Sequence, residues 1–302
     1  MGAPRIDRLD KNLLINGNFD FWQRGASIVA SSAYGADRWR GNSAQASQVR
    51  RDRVFSPGLP SGSRYGNHVT SIVGGCTVDQ RIESARLSSY VGKYLTVNFK
   101  AGLVSGTPGI QVVIRKPSVK DNYASNSIIL SSPVFATPAS HTGTYSSYSY
   151  TFLVDQDMAD KGIVIEHGGD TGVWEVIFSQ MMVLPSEDSS GFISSTYVYA
   201  GRDEFDELRL CQRYYEKSYD LEVAPGAITS VGAEGVVPCR TGGNPWQKVS
   251  YKVRKRTIPV VVGYSPVTGA AGQVRNDSEV ADNAAGFING GETGYTIGNN
   301  PG

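Results

Sequence analysis

His68, His141 and His167, three cysteines and a scatter of carboxylates are the residues of this chain with chemistry beyond packing. A metal centre needs clustered His, Cys and carboxylate ligands. The histidines lie far apart, each near Gly or Ser in a stretch that reads as loop. His167, in IEHGGD, comes closest, with Glu166 and Asp170 beside it. Successive side chains of an extended segment point to opposite faces, so Glu166 and His167 do not share a ligand. His167 is expected to be an exposed loop histidine. No EF-hand spacing supports calcium, and neither a metal nor another cofactor is expected. Cys76, Cys211 and Cys239 form no CxxC pair and read as reduced thiols of a protein assembled in cytoplasm.

The sequence holds no GxSxG, no P-loop and no GxGxxG in a βαβ setting. Carboxylate pairs that cleave glycosidic bonds come from distant strands and leave no local signature. Asp79 with Glu83 and Glu166 with Glu175 are the nominees, and nothing local separates them from solvated strand edges. The chain is therefore expected not to be an enzyme. Trp22 and Trp39 stand beside Arg24, Arg38 and Arg40. Both indoles are expected to fill the end of a β-sandwich, with the arginines on nearby carbonyls or carboxylates. The sharper alternative is an aromatic platform for a sugar ring.

Lys248–Arg256, KVSYKVRKR, interleaves its charges with Val249, Tyr251 and Val253, which reads as a strand whose charged outer face guards a sheet edge. In the whole chain 29 basic residues against 28 acidic leave +1, so no nucleic-acid partner is expected. No apolar run approaches the ~18 residues of a membrane span, and no apolar core follows Met1 as in a signal peptide. A soluble chain with no membrane insertion and no conventional export signal is expected.

These side chains have to be held by β-structure. Glycine (35), tyrosine (16) and abundant Ser and Thr with little helical patterning read as an all-β chain with many turns. Its 302 residues allow one large or two modest domains. Residues 1–11 form a polar arm. Asn12–Phe21, NLLINGNFDF, is the first apolar segment, broken by the Asn16-Gly17 turn signal. Gln80–Leu87 reads as a polar strand. Leu95, Val97 and Phe99, then Ile110, Val112 and Ile114, then Tyr148, Tyr150, Phe152 and Val154 alternate with polar neighbours. Ile163-Val164-Ile165 is a short buried run. In Val173–Leu184, Trp174, Val176, Phe178, Met182 and Leu184 line one face of a central strand whose other face is also apolar. Irregular loops of differing length join these strands, which predicts a two-sheet jelly roll over 12–200, with Pro185–Ser195 leading out.

Asp203–Tyr219, DEFDELRLCQRYYEKSY, is the one run with helical spacing. Phe205, Leu208, Cys211 or Gln212, and Tyr215 fall on one face. Asp203 suits the N-cap, acids fill the first turn and Lys217 the last. That places a connecting helix at 201–219 and a smaller β-rich domain at 220–302, with Thr257–Tyr264, TIPVVVGY, as a compact apolar strand. So thin a core predicts that this domain buries its faces against the first domain or against neighbouring copies.

Four segments in this order, NLLINGNFDFWQRG, YGADRWR, WEVIFSQMMVLP and ELRLCQRYYEKSY, resemble a family of bacteriophage virion proteins. These are tail-fibre, tail-spike or head-fibre components that carry a carbohydrate-binding-module-like jelly roll. KVRKRTIPVVVGYSPVTGAAGQVRN resembles the domain that follows the CQRYY helix in them, so the resemblance runs from Asn12 to about Ile297. It implies a structural virion protein exposed to the host surface, oligomeric and often trimeric, partnered by itself and by other virion proteins. It supplies no catalytic residue. Similar jelly rolls bind glycans on a concave sheet face or at loop tips through aromatic and polar side chains. That points to Tyr34, Tyr65, Tyr123 and Tyr145 in loops, and Trp246 after GGNP, as exposed carbohydrate-binding candidates. About ten residues precede the jelly roll, which favours a compact fibre tip, a baseplate or collar component, or a capsid-surface decoration. The expected function is an appendage protein that binds host-surface carbohydrate. The alternatives are a purely structural capsid decoration or connector and, third, a polysaccharide depolymerase.

Overall fold

Runs such as Leu95-Thr96-Val97-Asn98-Phe99 close into β-ladders because period two sends each set of side chains to one environment. A computed structural model of the chain describes residues 12–28, 33–42, 48–52, 59–60, 62–72, 75–142, 145–169, 172–190, 199, 201–235, 246–276 and 280–299. Among them the strands are β1 (Ser27–Ile28), β2 (Arg40–Asn42), β3 (Gln48–Asp52), β4 (Gly66–Ser71), β5 (Cys76–Ile82), β6 (Tyr94–Ser105), β7 (Ile110–Val119) and β8 (Asn122–Ser131). They continue as β9 (Ser146–Leu153), β10 (Ile163–Gly169), β11 (Trp174–Ser186), β12 (Trp246–Ser250), β13 (Gln273–Asn276), β14 (Ala281–Ile288) and β15 (Gly294–Asn299). The α-helices are α1 (Ser84–Leu87), α2 (Gln156–Lys161) and α3 (Glu204–Gln212).

The fold is all-β. Two antiparallel sheets, β1-β3-β4-β11-β6-β9 and β2-β5-β10-β7-β8, form a jelly-roll sandwich, and from β1 to β11 the chain crosses between the sheets at every step except β3 to β4 and β7 to β8. Contacts divide the chain into one unit of Met1–Trp22 with Ala26–Glu204 and a second of Gln23–Gly25 with Phe205–Gly302. In the first unit Leu95, Val97, Phe99, Val112, Ile114 and Phe178 meet in the core, as their alternation predicts. Trp22 and Trp39 join it; Trp39 Nε1 donates to the Asn16 carbonyl (2.8 Å), and Arg38 to that of Arg81 (2.7 Å). Asn12–Phe21 is an irregular buried segment. Asn16, at φ 56°, bonds Phe21 and Asp37 through its side chain, while the Gln80 amide exchanges two 2.7 Å bonds with the Ile15 backbone.

In the first unit and at α3, three expected elements differ; in the second unit the strand expected over Lys248–Arg256 ends at Ser250. In β11 the register shifts between Ser179 and Met182, with Gln180 at φ 54°. Such a bulge swaps the faces of the strand beyond it. Met181 and Val183 therefore enter the core, and Met182 and Leu184 leave the face of Trp174. The strand expected over Gln80–Leu87 ends at Ile82, and Ser84–Leu87 turn into α1, held by Asp121, which accepts from Ser84 N (2.8 Å) and Oγ (2.9 Å). α3 stops at Gln212, short of the expected Tyr219, and the chain turns so that Lys217 reaches the carbonyls of Leu221 and Val223. Its buried side is Glu207, Cys211 and Gln212, whereas Phe205 is 76% exposed.

The second unit holds a four-stranded antiparallel sheet, β12-β15-β14-β13. Lys255 is buried there; it pairs with Glu216, donates to the Gln212 carbonyl and lies 4.9 Å from the Tyr251 ring centroid. Thr257–Tyr264 is no strand. It forms no ladder, because Pro259 lacks the donor a paired strand needs, and only Tyr264 makes an isolated bridge, to Ala271. Arg24 stacks on the Tyr215 ring at 3.6 Å and Gln23 donates to the Tyr215 carbonyl, so the WQRG and CQRYY segments meet.

Candidate functional site

β5, CTVDQRI, sends Cys76, Val78, Gln80 and Ile82 into the sandwich, and so turns Thr77, Asp79 and Arg81 outward. β10 does the same, with Ile163, Ile165 and His167 inward and Val164 and Glu166 outward. Register then places Asp79 directly across from Glu166, with Arg40 of β2 on the far side of Asp79. Arg81 and Arg115 flank Val164 one row along. The outer face of the second sheet thus carries a row of two carboxylates among three arginines.

Each carboxylate is held. Arg40 places Nε (2.9 Å) and Nη2 (2.7 Å) on Asp79 Oδ2, and Arg115 forks onto Glu166 at 2.8 and 3.2 Å. Burial pushes the Asp79 carboxyl above the usual range; Arg40 and Arg81 pull it back, and Glu166 adds to the rise. Two groups keep spare capacity. Asp79 Oδ1 and Arg81 Nε make no hydrogen bond among the described residues and stand 4.0 Å apart. The Arg81 guanidinium lies 5.4 Å from the Tyr123 ring centroid. A hydroxyl both donates and accepts, so one seated about 2.8 Å from each atom would satisfy both. Both atoms are shielded, while the Arg81 side chain as a whole is 26% exposed.

Among the described residues the first sheet offers no such face. Thr96, Asn98, Ile177, Met182 and Leu184 point away from the core yet are buried, and His141 and Tyr145 lie against Gly102 there. Glu175, nominated as a partner of Glu166, instead meets the buried His68 at 2.9 Å across β4 and β11. Glu83 precedes α1, so the carboxylate across from Asp79 is Glu166. The alternation of CTVDQRI holds the signal for the row; which strand lies beside it does not follow from sequence.

Of the expected exposed aromatics, Tyr65, Tyr123 and Tyr145 are buried, a correction in each case. Tyr65 packs in the core. Tyr123 belongs to β8 and donates to the Ile82 carbonyl at 2.8 Å, which satisfies its hydroxyl and lays its ring beneath Arg81. Tyr34 is half-buried and bridges Arg40 through the backbone. Trp246 opens β12 opposite Gly298, in the second unit. Tyr34 and Tyr123 therefore adjoin the charged row and the others do not.

His167 is the inward neighbour of Glu166, no loop residue, because β10 continues to Gly169. Its ring sits edge-on to Trp39 (5.3 Å) and Phe178 (4.6 Å), and burial lowers its pKa to about 3. Among the described residues no three His, Cys, Asp or Glu side chains gather as a metal site, and no helix is long and apolar enough to cross a membrane.

No protein-family model and no curated protein matches the sequence. Among solved structures, the enzymatically active domain of bacteriophage CBA120 tailspike protein 4 is 12% identical over 59% of this chain, with a TM-score of 0.39; the match spans only 22% of that chain. A CBM4 structure is 22% identical over 57% of this chain and 98% of its own, with a TM-score of 0.37. The CBM22-1 xylan-binding domain of Paenibacillus barcinonensis Xyn10C is 8% identical over 54% of this chain and 93% of its own, with a TM-score of 0.36.

Proposed function

We propose that this chain is a bacteriophage appendage protein, of a tail fibre or baseplate, which associates with itself as a trimer and with other virion proteins. Its sandwich binds host-surface carbohydrate on the outer face of the second sheet, without turning it over. The virion reading rests on the ordered motifs from NLLINGNFDFWQRG to ELRLCQRYYEKSY. The binding reading is carried by one observation: Arg81 Nε, with its guanidinium over the Tyr123 ring, and Asp79 Oδ1 stand 4.0 Å apart on that face without a hydrogen bond among the described residues. A guanidinium donor beside a carboxylate acceptor suits sugar hydroxyls, and Arg81 alone also suits the carboxylate of an acidic sugar.

An array of bacterial surface polysaccharides tests this. Arg81→Ala is expected to weaken binding about tenfold or more, the value of a lost charged hydrogen bond, with little change in thermal midpoint. Binding that Arg81→Ala leaves intact sinks this site, and no binding at all sinks the carbohydrate reading. The purely structural alternative, a capsid decoration or connector, draws on the apolar side chains that the second unit leaves exposed. Turnover of a polysaccharide, lost in Asp79→Asn, would instead favour a depolymerase.

A further inference from the structure

Most of the large apolar side chains left exposed among the described residues lie at or beyond Phe205, in the unit whose buried hydrophobic residues are Cys211 and Ile297. Two segments of that unit stand out. Exposure alternates with period two from Lys248 to Lys255 and again from Ile258 to Val262, on either side of a bend at 256–257. Lys248, Lys252 and Arg254 are exposed first, then Ile258, Val260 and Val262, with Val260 at 92%. Over 257–262 the backbone makes no hydrogen bond to another described residue, although Arg256 and Gly263 on either side do. Valine-rich chain whose main-chain groups are unpaired among the described residues offers a pairing surface to a partner.

The second segment has the opposite charge. From Asp220 to Glu234 the ionisable residues are Asp220, Glu222 and Glu234, all exposed, among exposed Leu221, Ile228 and Val231. Lys248–Arg256 carries five basic residues and no acid; Arg254 pairs with Glu292 and Lys255 with Glu216, and Lys248 and Lys252 are exposed outside any ion pair among the described residues. Each segment joins charge to apolar surface, and the charges are complementary.

We infer that the strip 248–262 of one copy docks on 220–234 of a second copy. The contact is heterologous: its two halves are different surfaces of the same chain, so each added copy presents a fresh half until a ring closes. Lys248 and Lys252 meet the acidic segment at its Asp220 end, while Ile258, Val260 and Val262 leave water against Leu221, Ile228 and Val231. A second copy is the partner that always accompanies folding at the chain's own concentration. The inference deepens the self-association part of the proposed function and rests on it.

Light scattering on the full chain separates the two. The native chain is expected at a multiple of its 32.5 kDa mass. Lys248→Glu with Lys252→Glu turns the strip acidic, and should weaken association by about a hundredfold through like-charge contact. Asp220→Lys with Glu222→Lys should do the same from the other side. All four changes in one chain restore opposite charges, and the native mass should return, which also shows that the substitutions leave the fold intact. A native monomer overturns both the inference and the self-association reading. An oligomer indifferent to reversal of the strip, or four changes that fail to restore it, overturns the inference alone. A monomer that instead retains nuclease-sensitive nucleic acid through the basic strip overturns it too.

Discussion

Both ring nitrogens of His167 lie in the core without a hydrogen bond among the described residues, and the pKa there falls from 6.5 to about 3. Below pH 6.5 the unfolded chain takes up a proton that the folded chain refuses. His167 therefore gives its full contribution above pH 6.5 and loses it as pH falls toward 3. Asp20 works the other way. Burial raises its pKa from 3.8 to about 6, against hydrogen bonding from Asn18 and the charge of Arg64, so its carboxyl favours the fold when protonated and costs stability as pH rises through that window. Between about pH 4 and 6 the two slopes oppose each other. His167→Phe should raise stability at pH 4 more than at pH 7, by about 3 kcal/mol for the 2.5 units spanned. Asp20→Asn should gain at neutral pH and not at pH 3. Urea unfolding at both ends of the range decides, and equal gains for His167→Phe at pH 4 and 7 would refute the first. Neither group was legible in sequence. Glycines beside His167 read as loop, and its burial follows from β10 pairing on both edges. Tyr65, Tyr123 and Tyr145 misled for the same reason: flanking Ser, Gly and Asn describe the local chain, not the sheet that covers it.

At the scale of elements, period two was readable and interruptions of it were not. β6 and β7 bury the residues their alternation marks. In β11 the same alternation fails at Gln180, because a bulge is fixed by partners: Gly17 accepts from Met181 N (2.8 Å), and a Cβ at Gly17 would lie 2.0 Å from the Met181 oxygen. TIPVVVGY has strand composition, but Pro259 and the absence of a neighbour leave it outside any ladder of the described chain. The charged row was half legible, since CTVDQRI puts Asp79 and Arg81 on one side while strand order alone brings Glu166 and Arg115 to them. Val280 makes the cost of such context measurable. It stands at φ 54°, 73% exposed, where a β-branched residue is strained and nothing is gained by burial. Val280→Asn, which tolerates that conformation, should stabilise the second unit by about 1 kcal/mol. Calorimetry showing a loss would mean that Val280 earns its place through a contact.

For the whole molecule, the two units differ in what they bury. The first encloses a continuous aromatic and aliphatic core; the second shields the ion pair of Lys255 and Glu216 and leaves Ile258, Val260 and Val262 in water. A buried ion pair is weak support for a fold by itself, since desolvation consumes most of the attraction. Burial pulls the Lys255 ammonium below its usual pKa despite the Glu216 carboxylate beside it, which is that penalty showing through. On the self-association proposed above, the remaining stability comes from area covered by another chain, and mass action then makes it depend on concentration. Scanning calorimetry at two concentrations a decade apart should move the transition of the second unit upward. The shift should be a few degrees, the equivalent of about 1 kcal/mol in a domain of this size. The transition of the first unit should stay in place. With Val260→Asp the second transition should fall and lose its concentration dependence, because a carboxylate at the most exposed point of the strip costs the interface and not the isolated fold. If both transitions hold still at both concentrations, the second unit is stable alone, and the exposed valines serve something other than self-association.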